Sequence, residues 1–200
     1  MDKLTPIRPH CYGGATDQKH MCFLTKKLRI RTKHITLDPV FGPLLDTLLE
    51  THCTSDRAAL TNLKPRLRMV ILYYFAESFN YLVAGTRNKS EILLGRFTKY
   101  GDGGVDILPL GGLFKTEVKE MAREMGFTED IMEEISRWEM REERGEDRQR
   151  EIQDRKLDGA ILGIESGNTD GLDSEILARV GRLIKESQNK RGPIPFCRGS

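Results

Sequence analysis

GTRNKSEILLGRFTKYGDGGVDILPL, residues 85–110, is the stretch on which the reading of the fold turns. Before it, YLVA at 81–84 reads as a buried strand ending at Gly85; after a short polar turn, Ser90 and Glu91 open a helix. Such a strand–turn–helix presents backbone N–H groups and a carboxylate at one mouth, where a nucleotide could be held. It equally suits an ordinary connection in which Ser90 caps the helix and Glu91 complements its dipole. The continuation FTKYGDGGVD tips the balance: one lysine, two aspartates and three glycines crowd ten residues, more than a connection requires. Glycine allows close approach of a ligand to the backbone, while Lys99 and Asp106 offer opposite charges to a zwitterionic or multi-oxygen substrate.

Upstream, Asp17 is placed to cap a helix running to about Lys27 through Met21, Leu24 and Leu28, and IRTKHITLD gives a short strand around Ile35 and Leu37. Phe41, Leu44, Leu45, Leu48 and Leu49 mark one face of a second helix. A third begins near Pro65 and turns Leu67, Val70, Ile71, Tyr74 and Phe75 inward. Downstream, Lys115 to Met125 is amphipathic through Val118, Met121, Ala122 and Met125 and stops at Gly126, and Thr128 caps one more short helix. The run at 137–156 holds seven basic and seven acidic side chains, either a solvated helix or a mobile connection. The last helix, Leu172 to about Ser187, carries Ile176, Val180 and Ile184 at a spacing of four. Helix, strand, helix, helix, strand and then a polar loop is the order of an α/β sheet with its ligands at the strand C-termini.

At 200 residues the expectation is a single domain, 1–200, with 136–156 as a charged insertion or helix. Thirty-two basic against 30 acidic residues leave a net charge of +2, no basis for a nucleic-acid partner. A mean hydropathy of −0.47 and the lack of a long apolar run give no membrane role. With no signal-peptide pattern at the N-terminus, the expected location is cytoplasmic. His10 with Cys11, His20 with Cys22 and His52 with Cys53 invite a metal reading, but nothing reproduces the tight ligand pairs of a structural zinc site.

Three segments together resemble the NAD synthetases, the ammonia-dependent type of the N-type ATP pyrophosphatase superfamily. GTRNKSE matches the family's GT-x-NKSE, GRFTKYGDGGVDILPL its G-x-FTKYGDGG-x-D-I-x-P run, and KTEV its following helix start. NLKPRLRM and SQNKRGPIP are similar to two further family motifs. The resemblance implies an adenine nucleotide alpha hydrolase-like (Rossmann-like) fold, a parallel sheet flanked by helices. It implies a ligase that amidates deamido-NAD to NAD with ammonia through an acyl-adenylate, with ATP and Mg²⁺ as cofactors and a homodimer as the assembly. By the same resemblance Thr86 and Lys115 would bind ATP, Glu91 would bind Mg²⁺, and Arg66, Lys99, Asp106, Asn189 and Lys190 would hold deamido-NAD. It assigns no catalytic side chain.

The sequence departs from the family pattern in places. CYGGATDQ at 11–18 lacks both serines of the family's pyrophosphate loop, SGG-x-DS, and follows IRPH, whose proline suits a central strand poorly. The expectation is therefore an N-terminally truncated fold. Arg87 and Asn189 stand where the family has other residues, and the charged 136–156 run replaces an ATP-site segment. Two other readings stay open: a catalytically deficient homologue that binds deamido-NAD or dimerises with a full synthetase, and a sulfur-transfer relative using Cys11, Cys22, Cys53 and Cys197.

Overall fold

The computed structural model describes residues 7–10, 25–26, 28–30, 32–51, 57–128, 131–132 and 150–197, of which 7–10, 57 and 150–153 are described by backbone alone. The helix expected at 17–27 falls outside them except for Thr25 and Lys26, which are helical. Cys11, Cys22, Cys53 and most of the charged run also lie outside. The chain divides into two compact units, Met1–Ala84 with Tyr100–Ile107, and Gly85–Lys99 with Leu108–Ser200.

In the first unit, strands β1 (Ile7–His10) and β2 (Lys33–Thr36) pair in parallel, with Pro9 opposite Ile35. IRPH is thus a strand, against the expectation from its proline. A proline is tolerated in a strand where its missing N–H faces away from the neighbour. Helix α1 (Asp38–Glu50) starts with Asp38 and a proline in its first turn, both suited to the helix N-terminus. It buries Phe41 beside Leu37, with Ile35, Leu45, Leu63, Leu67 and Ile71 packed around the pair. Leu48 and Leu49 remain exposed.

Helix α2 runs from Arg57 to Phe79, so Pro65 lies inside it instead of at its start. The apolar i, i+4, i+8 series Leu63, Leu67, Ile71 spans the proline, and its packing against α1 keeps the helix continuous there. Tyr74 is 65% exposed and Val70 55%, so two of the five side chains expected to point inward do not. The helix ends where Asn80 takes the left-handed conformation at φ 54°, which asparagine tolerates better than most residues, and Tyr81 N–H donates to Ala76 O at 2.8 Å. Lys33 sits over the ring of Phe79 at 4.8 Å and over that of Phe75 at 5.6 Å.

YLVA is not a buried strand. Only Val83 is buried, Leu82 is 68% exposed, and pairing is limited to an isolated parallel bridge between Ala84 and Ile107. An apolar run marks a strand only when neighbouring chains take up its backbone groups along its length.

The second unit is helical. Helices α3 (Lys89–Leu93), α4 (Lys115–Glu124), α5 (Arg150–Ser166), α6 (Ser174–Glu186) and the short α7 (Gln188–Arg191) surround a core of Leu94, Leu157, Ala160, Ile161 and Val180. Ile161 and Val180 are fully enclosed, with Ile176 and Ile184 packed against them as the spacing of four requires. Asp173 caps α6 by accepting from Glu175 N–H at 2.9 Å and Ile176 N–H at 3.3 Å. Helix α4 stops before Gly126 at φ 83°, as its sequence implies, but Met121 and Met125 lie on its exposed side. Where a short helix capped by Thr128 is expected, Thr128 O accepts from Ile131 and Met132 N–H, and those two residues are helical.

Candidate functional site

The residues singled out from the sequence fall in both units. Arg66 and Asp106 belong to the first; Thr86, Glu91, Lys99, Lys115, Asn189 and Lys190 belong to the second.

In the second unit the loop 85–88 leads into α3 through a reciprocal cap. Asn88 Oδ1 accepts from Glu91 N–H at 2.9 Å, and Glu91 Oε2 accepts from Asn88 N–H at 3.1 Å. The cap is Asn88, not Ser90. Ser90 lies one residue inside the helix and is buried; its hydroxyl donates to Asp158 Oδ1 on α5 at 2.5 Å and accepts from Lys115 N–H at 3.0 Å. Asp158 Oδ2 accepts from Thr116 N–H at 3.0 Å and from Thr116 Oγ1 at 2.9 Å. One buried carboxylate therefore fastens the start of α3 to the start of α4, the two places where the GTRNKSE and KTEV motifs begin their helices. Lys119 reinforces the join through Asp154 on α5 at 3.0 Å. Lys89 reaches Glu165 at 2.6 Å and lies 4.5 Å from the centre of the Phe114 ring.

Sequence reasoning missed Asp158. Its one signal is a carboxylate inside the apolar stretch Leu157–Ile161, where a charge is kept only if it finds partners.

Glu91 also pairs with Arg87, whose Nη1 donates to Oε1 at 3.2 Å. Thr86 is exposed at the mouth of the loop. Lys99, Asn189 and Lys190 come together at the other end of α3. Lys99 Nζ donates to Asn189 O at 2.5 Å, and Lys190 Nζ donates to Gly95 O at 2.7 Å and Phe97 O at 3.0 Å. The backbone beneath them is closely fitted: Gly95 adopts φ 69°, and Ser187 Oγ approaches Leu93 O at 2.8 Å.

In the first unit Asp106 is engaged through both oxygens. Tyr73 Oη donates to Oδ1 at 3.0 Å, and Val83 N–H donates to Oδ2 at 2.7 Å. The glycines of the preceding loop let it lie on α2, since a Cβ at Gly104 would meet Gly101 O and Met69 Cγ at 3.3 Å each. Arg66 is seven residues before Tyr73 on α2, two turns and about 10 Å along the same face.

Desolvation by burial, then the hydrogen bond to Asp106 and the charge of that carboxylate, hold the Tyr73 phenol above its ordinary value of 10.0. The folded chain thus keeps this proton more firmly than the unfolded chain. Its stabilising contribution is complete below about pH 10 and is lost as pH rises through the raised folded value. Urea midpoints at about pH 8 and about pH 11 should fall less with pH in Tyr73→Phe than in the wild type. Equal slopes would remove Tyr73 from the account.

Solved structures share this architecture. The NMN synthetase from Francisella tularensis superposes with a TM-score of 0.76 at 23% identity, covering 98% of this chain and 79% of that one. The NH3-dependent NAD synthetase from Campylobacter jejuni in complex with the nitrate ion gives 0.76 at 22%, covering 96% and 77%. The fold is that of the α/β, Rossmann-like adenine nucleotide alpha hydrolases.

Within that class the sequence is specific: the NAD synthase family profile matches residues 3–194, and the chain belongs to that family. The NH(3)-dependent NAD(+) synthetase of Carboxydothermus hydrogenoformans is 36% identical over 185 residues, 90% of this chain and 72% of that protein. Of three archaeal relatives that the chain also matches, it spans 46%, 59% and 57%. The resemblance drawn from GTRNKSE, FTKYGDGG and KTEV is borne out. Among the described residues, no helix is long and apolar enough to cross a membrane.

Proposed function

We propose that this chain serves the ATP-dependent amidation of deamido-NAD by ammonia, as a cytoplasmic homodimer. The observation that carries the reading is the Asp158 clamp, which fixes the start of the helix that follows the Thr86 loop and the helix start bearing Lys115 to one buried group. In the reaction a nicotinate carboxylate oxygen attacks the α-phosphorus of ATP and pyrophosphate leaves. Ammonia then adds its lone pair to the acyl carbon, AMP departs with the former carboxylate oxygen, and loss of a proton leaves the amide. Neither step calls for a protein nucleophile. What is needed is alignment and neutralisation of phosphate charge, which fits a site assembled from loop ends and lysines.

Lys115, at the first turn of α4, meets the ATP phosphates as a point charge, and Thr86 contacts the nucleotide from the loop. Lys99 and Lys190, held against Asn189 and the carbonyls of Gly95 and Phe97, form one dinucleotide-binding group with Asn189. Arg66 and Asp106 form another along α2.

Mg²⁺ accompanies ATP in this reading, and Glu91 is the ligand the family pattern nominates. As arranged, that carboxylate is poorly placed to ligate a metal, because Oε1 faces the Arg87 guanidinium and Oε2 closes the helix cap. Among the described residues no group of three His, Cys, Asp or Glu side chains gathers as a metal site.

The purified chain, given ATP, Mg²⁺, deamido-NAD and ammonia, should form NAD. Lys115→Gln should raise the KM for ATP about tenfold or more, the scale of one charge-assisted contact, while calorimetric binding of deamido-NAD is unchanged. Lys99→Ala should weaken deamido-NAD by a similar factor. Binding without turnover would leave the chain a deamido-NAD-binding module, and no binding at millimolar ligand would end the proposal.

A further inference from the structure

Glu91 faces a side chain that carries the same sign of charge as its nominated ligand. Arg87 and Glu91 are four residues apart, Arg87 on the loop and Glu91 in the first turn of α3. Their side chains meet at 3.2 Å and are 30% and 17% exposed. The pair is more than a surface coincidence, because the cap fixes Glu91 independently. With Oε2 held by Asn88 N–H, the carboxylate cannot turn away, and Oε1 is left facing the guanidinium. Desolvation at this half-buried position strengthens the attraction relative to a fully hydrated pair.

We propose that Arg87 is the resident cation at Glu91, standing where a divalent ion would otherwise be bound, and that it makes divalent binding at this carboxylate weak. The inference rests on the reading that Glu91 faces the nucleotide's metal. A divalent ion at Oε1 must either displace the guanidinium or sit beside a like charge, and Coulomb repulsion a few ångströms away costs about a factor of ten or more in affinity. Arginine does this better than lysine because its delocalised guanidinium stays charged at any accessible pH and its planar fork matches carboxylate geometry.

The test uses the chain with Mn²⁺ alone, the free ion being followed by electron paramagnetic resonance. Arg87→Gln keeps the Asn88–Glu91 cap, and circular dichroism checks that the variant is folded at the temperature of the titration. It should bind Mn²⁺ about tenfold more tightly than the wild type. Arg87→Lys, which retains the charge, should show a smaller gain. In Arg87→Gln with Glu91→Gln the gain should vanish.

An Arg87→Gln affinity equal to that of the wild type overturns the proposal, even if Glu91→Gln abolishes binding and so supports Glu91 as ligand. A gain that survives Glu91→Gln also overturns it, and in that case the assignment of Glu91 fails too.

Discussion

Asp158→Ala should destabilise the chain by about 3–4 kcal/mol, seen as a lower midpoint in urea unfolding, the largest loss expected of any single polar truncation here. The carboxylate is 6% exposed and accepts three hydrogen bonds, two from side-chain hydroxyls and one from Thr116 N–H. Removing it strands the Ser90 hydroxyl and the first-turn N–H of α4 in a place water reaches poorly. Asp158→Asn should lose less, since its carbonyl oxygen can still accept from Thr116 while the amide faces Ser90, whose hydroxyl can rotate to accept. If Asp158→Ala unfolds with the wild-type midpoint, the carboxylate is not holding α3 to α4, and the clamp on which the functional reading leans is absent. The contrast with Lys119→Ala is informative. Its ion pair joins a lysine side chain that is 19% exposed to the buried Asp154 carboxylate, one contact where Asp158 has three, and should contribute about 1–3 kcal/mol.

Gly95→Ala should cost about 3 kcal/mol through two separable effects. Left-handed backbone at φ 69° disfavours any residue with a Cβ by about 1–2 kcal/mol. The added Cβ would also lie 2.6 Å from Ser187 Cβ, an overlap that forces α6 and α7 away from the end of α3 and costs on the order of 1–3 kcal/mol. Combining Gly95→Ala with Ser187→Gly removes the overlap and leaves the backbone penalty. The double variant should therefore be more stable than the sum of the singles implies, by about 1–2 kcal/mol. A coupling of zero would show that only the backbone conformation matters. The same substitution should weaken deamido-NAD, because Gly95 O and Phe97 O hold Lys190 in place.

Much of this molecule is legible in its sequence. The 85–110 run names the family, because its side chains are held to a pattern by chemistry at close range and not by packing alone. Helix ends are readable where a local signal exists: Gly126 at a positive φ, and the apolar series Ile176, Val180, Ile184 facing one core. The sequence misleads where burial depends on neighbours far away in the chain. YLVA has the composition of a core strand yet pairs only at Ala84, Val70 and Tyr74 turn outward from α2, and Pro65 sits within a helix held by packing on either side.

The candidate site divides in the same way. Sequence alone determined which residue types stand at Thr86, Glu91, Lys99, Asp106 and Lys115, since each lies in a contiguous motif. Apart from the local cap and ion pair of Glu91, tertiary structure decided what holds the site together. Asp158 reaches Ser90 across 68 positions, Lys190 meets Gly95 across 95, and Tyr73 finds Asp106 across 33. Contacts at that separation are set by how helices pack, a sum over many apolar side chains with no local signature, so a lone carboxylate in an apolar stretch was their only trace. The opening stretch told which family this is; the fold revealed that its glutamate already grips an arginine.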